Sequence, residues 1–454
     1  MEIASQLAKW IVKTKSEEIL KDVVEKAKVH VLDTLGVMIA GSTDNVGKVI
    51  TEYAKDIGGK PVCRVVGTSI KTVPPIAALV NGVTGHALDF DDNSYSYIGH
   101  VSVSVLPSAI AIGELVDASG IQVLGAYIIG SEVACKLGAM VTPKLFEDGW
   151  HTTSVIGAFG ATAAAGKLLG LTEDQMVHAL AITVSEASGM LGNIGTMSKP
   201  FQVGRSAENG VVAALLAQKG ITGTANIFEK VSGFCHTLKV DNDFSPFYAK
   251  MGSPFDIDNP GFYLKEFPSC YATHTALNAA IRLIRDHRIE PDQVESVDCA
   301  ATPLVVKCLT YVNPQNAVQA RFSMQFCLAV ALLGRGKVKA TDFQDEKVRD
   351  SKIVEMMKKI SLRISPELEN KGFAPPDGPE AAILEITLKN GKRYSGSKSF
   401  ADWRNMPSWE VLAKKYWDCA SPVLSRDKLE RSIEQIQKLE ELKTIGELMT
   451  SIAR

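Results

Sequence analysis

Closely spaced cysteines are missing from this 454-residue chain: its eight cysteines (63, 135, 235, 270, 299, 308, 327 and 419) include no CxxC pair. A disulfide framework, a zinc ribbon and an iron-sulfur cluster all start from such spacings, so the thiols read as reduced and scattered. A dominant charge is missing too. Lys+Arg number 49 against 51 Asp+Glu, so a net charge of -2 offers no bulk attraction to nucleic acid. Any anionic ligand must be met by a few local cations. The weakly charged stretches 98–113 and 151–166 are interrupted by Ser, Thr, His, Pro and Gly before reaching the ~20 apolar residues of a membrane span. The first residues lack a basic segment ahead of an apolar core, and the expectation is a cytoplasmic protein with no membrane or nucleic-acid partner.

Familiar catalytic signatures are absent as well. There is no GxGxxG after a strand and no GxSxG elbow. The stretch 160–167 falls short of a phosphate loop: five residues separate Gly160 from Gly166 where four are required, and Leu168 stands where Ser or Thr would hold magnesium.

What is present is a long helical pattern. With 46% hydrophobic and 22% charged residues, the chain has material for two globular domains. Apolar residues recur at helical spacing over 17–40, and further helical runs are expected at 75–89, 104–117, 121–137, 153–169, 173–187, 207–219 and 273–286. Small residues fill 157–166, which lets helix backbones approach closely. After about residue 290 the period changes to two, at 294–300, 360–364, 382–388 and 392–395, the last two joined by Asn390-Gly391, a strong hairpin signal. A Pro/Gly-rich loop is expected at 372–379, and the tail 425–453 returns to helical spacing. The expected fold is mainly α: a large all-helical domain over 1–264, completed by helices from about 400–454, plus a smaller α+β lid over 265–399.

Four polar islands interrupt the apolar background. His86-Ala87-Leu88-Asp89-Phe90-Asp91-Asp92-Asn93 with Gly99-His100 offers general bases, metal ligands or a self-capping helix end; its spacing matches neither an EF-hand loop nor an HExxH helix. His151, after Gly149-Trp150, stands where a helix begins, as either a structural or a catalytic histidine. Lys199 and Arg205 lie among Gly, Ser and Asn ahead of an expected helix, as a carboxylate cradle or as plain surface. Lys265-Glu266-Phe267-Pro268-Ser269-Cys270 with His274 sits at the expected domain junction, a common place for a cleft.

Together with Arg321-Phe322-Ser323-Met324-Gln325-Phe326, these motifs resemble the MmgE/PrpD family over nearly the whole chain. The resemblance implies a helical domain with an α+β lid, a homodimer, no metal or other cofactor, and proton abstraction next to a carboxylate of a small di- or tricarboxylate. It implies catalytic roles for Asp89, His100, His151, Lys199 and Lys265. Asn93, Arg205, Cys270, His274 and Phe326 are the expected substrate-binding residues. Against the family's decarboxylases, Asn93 replaces a Thr, Cys270 a His and Phe326 a Tyr; against its epimerases, Phe146 stands where a Tyr is expected. Two missing proton donors make decarboxylation the most remote expectation. A hydro-lyase like 2-methylcitrate dehydratase comes first, an epimerase of an iminodisuccinate-like dicarboxylate second, and a non-catalytic carboxylate binder on the same fold third.

Overall fold

A computed structural model of the chain describes residues 2–241, 243–369, 380–398 and 407–454. The Pro/Gly-rich loop expected at 372–379 lies outside these residues.

Helices dominate the first 264 residues because their apolar positions repeat at helical spacing and their ends are capped. The side chain of Asp44 caps helix Asn45–Ile57, Ser119 and Gln122 form a capping box on Gly120–Val141, and Thr172 and Gln175 do the same for Glu173–Glu186. Helices Lys21–Gly41, Pro74–His86, Ser102–Leu115, Gly120–Val141, Thr152–Leu168 and Ser198–Gln218 pack into one core. Gly120–Val141 is long and apolar enough to cross a membrane, a run longer than either stretch singled out in the sequence. Within the fold 94% of its most apolar window is covered by protein.

The small residues at 157–166 have the expected use. A Cβ on Gly130 would come within 2.5 Å of the Gly160 carbonyl oxygen, and a Cβ on Gly160 within 2.7 Å of the Gly130 carbonyl oxygen. Neither obstruction is a side chain that can rotate away. Gly160→Ala is therefore expected to destabilise the fold by about 1–3 kcal/mol, checked by denaturant unfolding against wild type.

The boundary that departs furthest from the sequence reading is the start of one helix. The helix expected at 207–219 starts about two and a half turns earlier, at Ser198. Pro200 falls in its first turn, where proline removes no hydrogen bond. Gly204 is not a loop signal but the point where this helix touches its neighbour: a Cβ there would lie 2.4 Å from the Leu79 carbonyl oxygen.

The smaller unit carries a four-stranded sheet in the order Ile360–Ile364, Val294–Ala301, Ala382–Leu388, Arg393–Lys398. The first pair is parallel (Val297 opposite Ile360) and the other two antiparallel (Cys299 opposite Leu384, Ile386 opposite Tyr394). Asn390-Gly391 turns the hairpin, with Gly391 at φ 83°. Leu384, Ile386 and Leu388 alternate onto the buried face, against helices His274–His287 and Met324–Leu333.

The tail returns to the first core. Helices Trp409–Ala420, Arg426–Gln437 and Gly446–Ser451 bury Tyr416, Ile436, Leu448 and Met449 there. The apolar cores thus group 3–264 with 412–452 on one side and 267–388 on the other.

Candidate active site

The chain reverses just after helix Pro74–His86, and the polar turn 86–93 is pressed between the two units. Asp89 takes a left-handed backbone (φ 50°), which aspartate adopts more readily than most residues. Its Oδ1 accepts from Lys199 Nζ at 2.6 Å, its Oδ2 lies 3.3 Å from Lys265 Nζ, and its carbonyl accepts from Lys265 at 2.7 Å. Burial works to raise the Asp89 pKa, but the two ammonium groups, aided by His86 and His100, hold it well below the usual carboxylate range. In return, burial works to lower the Lys265 pKa and is outweighed by Asp89 and Asp91, so that lysine is raised and stays charged.

The three carboxylates of the turn have separate duties. Asp91 lies 2.9 Å from His86 Nδ1 and 3.2 Å from His100 Nδ1. Asp92 is structural: it takes the Ser102 backbone N–H at 3.2 Å and lies 2.9 Å from His30, tying helix Lys21–Gly41 to Ser102–Leu115. Only Asp89 lines the cleft.

Partners also decide which ring nitrogen of each histidine carries hydrogen. Lys199 Nζ sits 2.7 Å from His86 Nε2, and an ammonium only donates, so His86 Nε2 accepts and Nδ1–H faces Asp91. Burial foremost, with Lys199 and His100 and against the pull of Asp91, lowers the His86 pKa to about 4. His100 Nδ1 lies 2.7 Å from the Asp92 carbonyl, which only accepts, so its Nε2 is the atom left to exchange a proton.

His151 stands at the N-terminal end of helix Thr152–Leu168, buried, with its backbone N–H on the Gly189 carbonyl and no hydrogen-bond partner at Nδ1 among the described residues. Burial first, then Lys199, His86 and His100, push its pKa well below the ordinary histidine value. The helix N-terminus adds to that effect, because its partial positive charge disfavours an imidazolium.

Asp89, Asn93, His100, His151, Thr152, Thr153 and Lys199 line one side of a cleft of about 70 Å³, with Phe146 at its apolar margin. Cys270, Tyr271, Leu304, Cys308, Phe322 and Glu380 line the other. Six expected site residues thus share one cavity: Asp89, Asn93, His100, His151, Lys199 and Cys270. Lys265 does not line it. It lies buried behind Asp89, so it acts on the cleft through that carboxylate.

Three expected substrate-binding residues lie elsewhere. Arg205 is six positions beyond Lys199 on one helix, about 120° around its axis, and pairs with Glu208 at 2.7 Å with its side chain 47% exposed. His274 is buried, stacked on Tyr271, with Nε2 accepting the Phe267 backbone N–H at 3.2 Å. Phe326 packs edge-on against Phe343 inside the lid core. Its identity therefore removes no phenol from the cleft, and that part of the expectation against decarboxylation falls; Cys270 does line the cleft.

Other contributors had little or no signal in the sequence. Lys415, on the tail helix, reaches Asp33 at 2.6 Å and the carbonyls of Phe90 and Lys265 at 3.0 and 2.9 Å, fastening both sides of the turn from below. Donor atoms of His86, Asp89 and His100 come within 4.8 Å of one another, a trio able to hold a cation. The Lys199 ammonium already sits between two of them, so a metal ion would have to displace it.

The chain that builds this cleft is similar in sequence to known proteins. Residues 5–246 match the MmgE/PrpD N-terminal domain and residues 267–441 the MmgE/PrpD C-terminal domain, and the chain belongs to the MmgE/PrpD family. It is 31% identical to the cis-aconitate decarboxylase of Mus musculus, over 92% of this chain and 87% of that protein. The human cis-aconitate decarboxylase is likewise 31% identical, over 94% and 90%. The 2-methylcitrate dehydratase of Salmonella typhimurium is 23% identical over 73% and 71%.

Proposed function

We propose that this protein is a lyase that generates a carbanion next to a carboxylate of a small tricarboxylate, with side chains as acid and base and loss of water as the completing step. The observation that carries the reading is a lysine ion-paired with Asp89 and a buried histidine whose Nδ1 has no hydrogen-bond partner among the described residues, both facing one cleft. Lys199, with Asn93 and the first N–H groups of helix Thr152–Leu168, suits a carboxylate. His151, kept neutral by its surroundings, accepts the C–H proton. Negative charge then grows on the substrate carboxylate beside Lys199, where a fixed cation stabilises it without reorganisation. Asp89 holds that ammonium in place, and Lys265 keeps Asp89 ionised.

The cleft's 70 Å³ is small beside the roughly 300–1,000 Å³ of ligand pockets, so substrate entry requires the lid to lift. The contacts to be broken include Arg321 with Asp44 at 3.3 Å and Tyr95 with Glu380. Decarboxylation is the second reading, favoured by the 31% identity to two cis-aconitate decarboxylases. It shares the same carbanion.

The experiment is incubation in D₂O with 2-methylcitrate, citrate, cis-aconitate and aspartate-derived dicarboxylates, followed by NMR. An alkene product supports water loss, a five-carbon diacid from cis-aconitate supports decarboxylation, and deuterium incorporation alone supports epimerisation. No exchange and no product with any of them, from folded protein, overturns the reading. Lys199→Ala is expected to lower kcat/KM by on the order of 10²–10³-fold, measured on whichever acid is turned over.

A further inference from the structure

The base side of the cleft is rich in candidates, whereas, His100 and Tyr271 aside, the residues considered so far offer no acid for the departing group. Lys199 and Lys265 are engaged with Asp89, and Cys270 is a weak donor. The opposite wall holds one more carboxyl. Glu380 lines the cleft just ahead of strand Ala382–Leu388, and its backbone carbonyl is fixed by Thr275 Oγ1 at 2.5 Å.

We propose that Glu380 is a further catalytic residue, the general acid that the lid brings to the substrate. The Tyr95 hydroxyl, from the opposite unit, donates to Glu380 Oε2, and Oε1 has no hydrogen-bond partner among the described residues. In the acid form the proton is thus carried on Oε1, the oxygen the tyrosine leaves free. The surroundings favour that form. Tyr95 packs against Tyr263 and Tyr271 (ring centroids 5.3 and 6.2 Å apart), walling the carboxyl from water. Burial raises the Glu380 pKa to about 7 against the smaller opposing pulls of the Tyr95 hydrogen bond and Lys265. Of the other titratable groups facing it, Tyr271 is raised by burial and Cys308 by its contact with Cys270 and then by burial, so both stay neutral, and Tyr95 is itself raised well above its ordinary value by burial, so it remains a donor.

The assignment rests on the lyase reading above. In the elimination, His151 takes the substrate C–H proton and that bond's electrons become the C=C bond. The C–O bond breaks with its electron pair on oxygen, and the Glu380 proton joins that oxygen so that water leaves. Glu380 regains a proton from solvent and His151 returns one. Because the active form is protonated, its contribution is present below pH about 7 and lost as pH rises through that value.

The test is the pH profile of kcat for wild type, Glu380→Gln, Glu380→Asp and Tyr95→Phe on the acid the wild type turns over. Glu380→Gln is expected to lose on the order of 10²-fold in kcat and the alkaline limb near pH 7, with an unchanged melting temperature. Glu380→Asp should recover part of the rate with the limb restored. Tyr95→Phe removes a bond that favours the carboxylate, so the limb should move to higher pH. A Glu380→Gln enzyme that keeps both rate and limb overturns the assignment while the lyase reading stands; a wild type inactive on every acid overturns the lyase reading and the assignment together. Infrared difference spectra of wild type against Glu380→Gln give an activity-free check: a protonated-carboxyl band that bleaches between pH 6 and 8 is expected, and its absence at pH 6 overturns the proposal.

Discussion

His151→Ala is expected to lower kcat by on the order of 10²–10⁴-fold, the range associated with losing a positioned general base. The fold should tolerate it, because among the described residues the hydrogen bonds of His151 run through its backbone. The pH dependence supplies an independent signature. Burial, reinforced by Lys199, His86 and His100, lowers the His151 pKa well below 6.5, so the imidazole is in its base form throughout the neutral range. The acid limb belonging to this residue must therefore fall well below the ordinary histidine range. A wild-type limb at about 6.5 that disappears in the variant would contradict the buried, neutral state deduced for it.

Asp89→Asn is expected to be the most damaging isosteric change in the protein. Asparagine keeps the shape and accepts the left-handed backbone of this position, so the change removes little besides charge. Without that charge Lys199 and Lys265 are left buried with no carboxylate in direct contact among the described residues, and removing one partner of a buried ion pair typically costs about 3–5 kcal/mol. Denaturant unfolding at neutral pH checks this. The pH dependence follows from the lowered Asp89 pKa: its stabilisation is present above the unfolded aspartate value near 4, and is lost only as pH falls toward the lower folded value. Wild type and Asp89→Asn should thus differ most at neutral pH and converge in strong acid. Equal stability at pH 7 would mean that the lysines find other partners.

Much of the fold was legible because its signals are local. The helix at 21–41, the capped helices at 120–141 and 173–186, the strand at 382–388 and the Asn390-Gly391 turn each come from spacing or end chemistry within a few residues. The start of helix Ser198–Gln218 was not legible. Its Pro, Gly and Ser are loop signals in isolation, and only the contact of Gly204 with Leu79 shows why a helix needs a missing side chain there.

The candidate site divides along the same line. Sequence alone named the residue types and most of their positions, since an Asp-rich turn in an apolar background is costly enough to stand out, and a helix-initiating histidine and a lysine among Gly, Ser and Asn mark further polar islands. Which of them meet was decided by tertiary packing. Lys199 and Arg205 are equivalent cations on paper, yet the helix turns one toward Asp89 and the other away to Glu208. Lys265 was expected to meet substrate and instead props Asp89 from behind. Glu380 carries no mark in its neighbourhood of the chain; it reaches the cleft because strand pairing places the start of Ala382–Leu388 opposite Tyr95. The physical reason is range. Capping, periodicity and turn chemistry act over a few residues and are written in the sequence, whereas the charge state and partner of a buried group depend on what the fold brings within about 4 Å from anywhere in the chain.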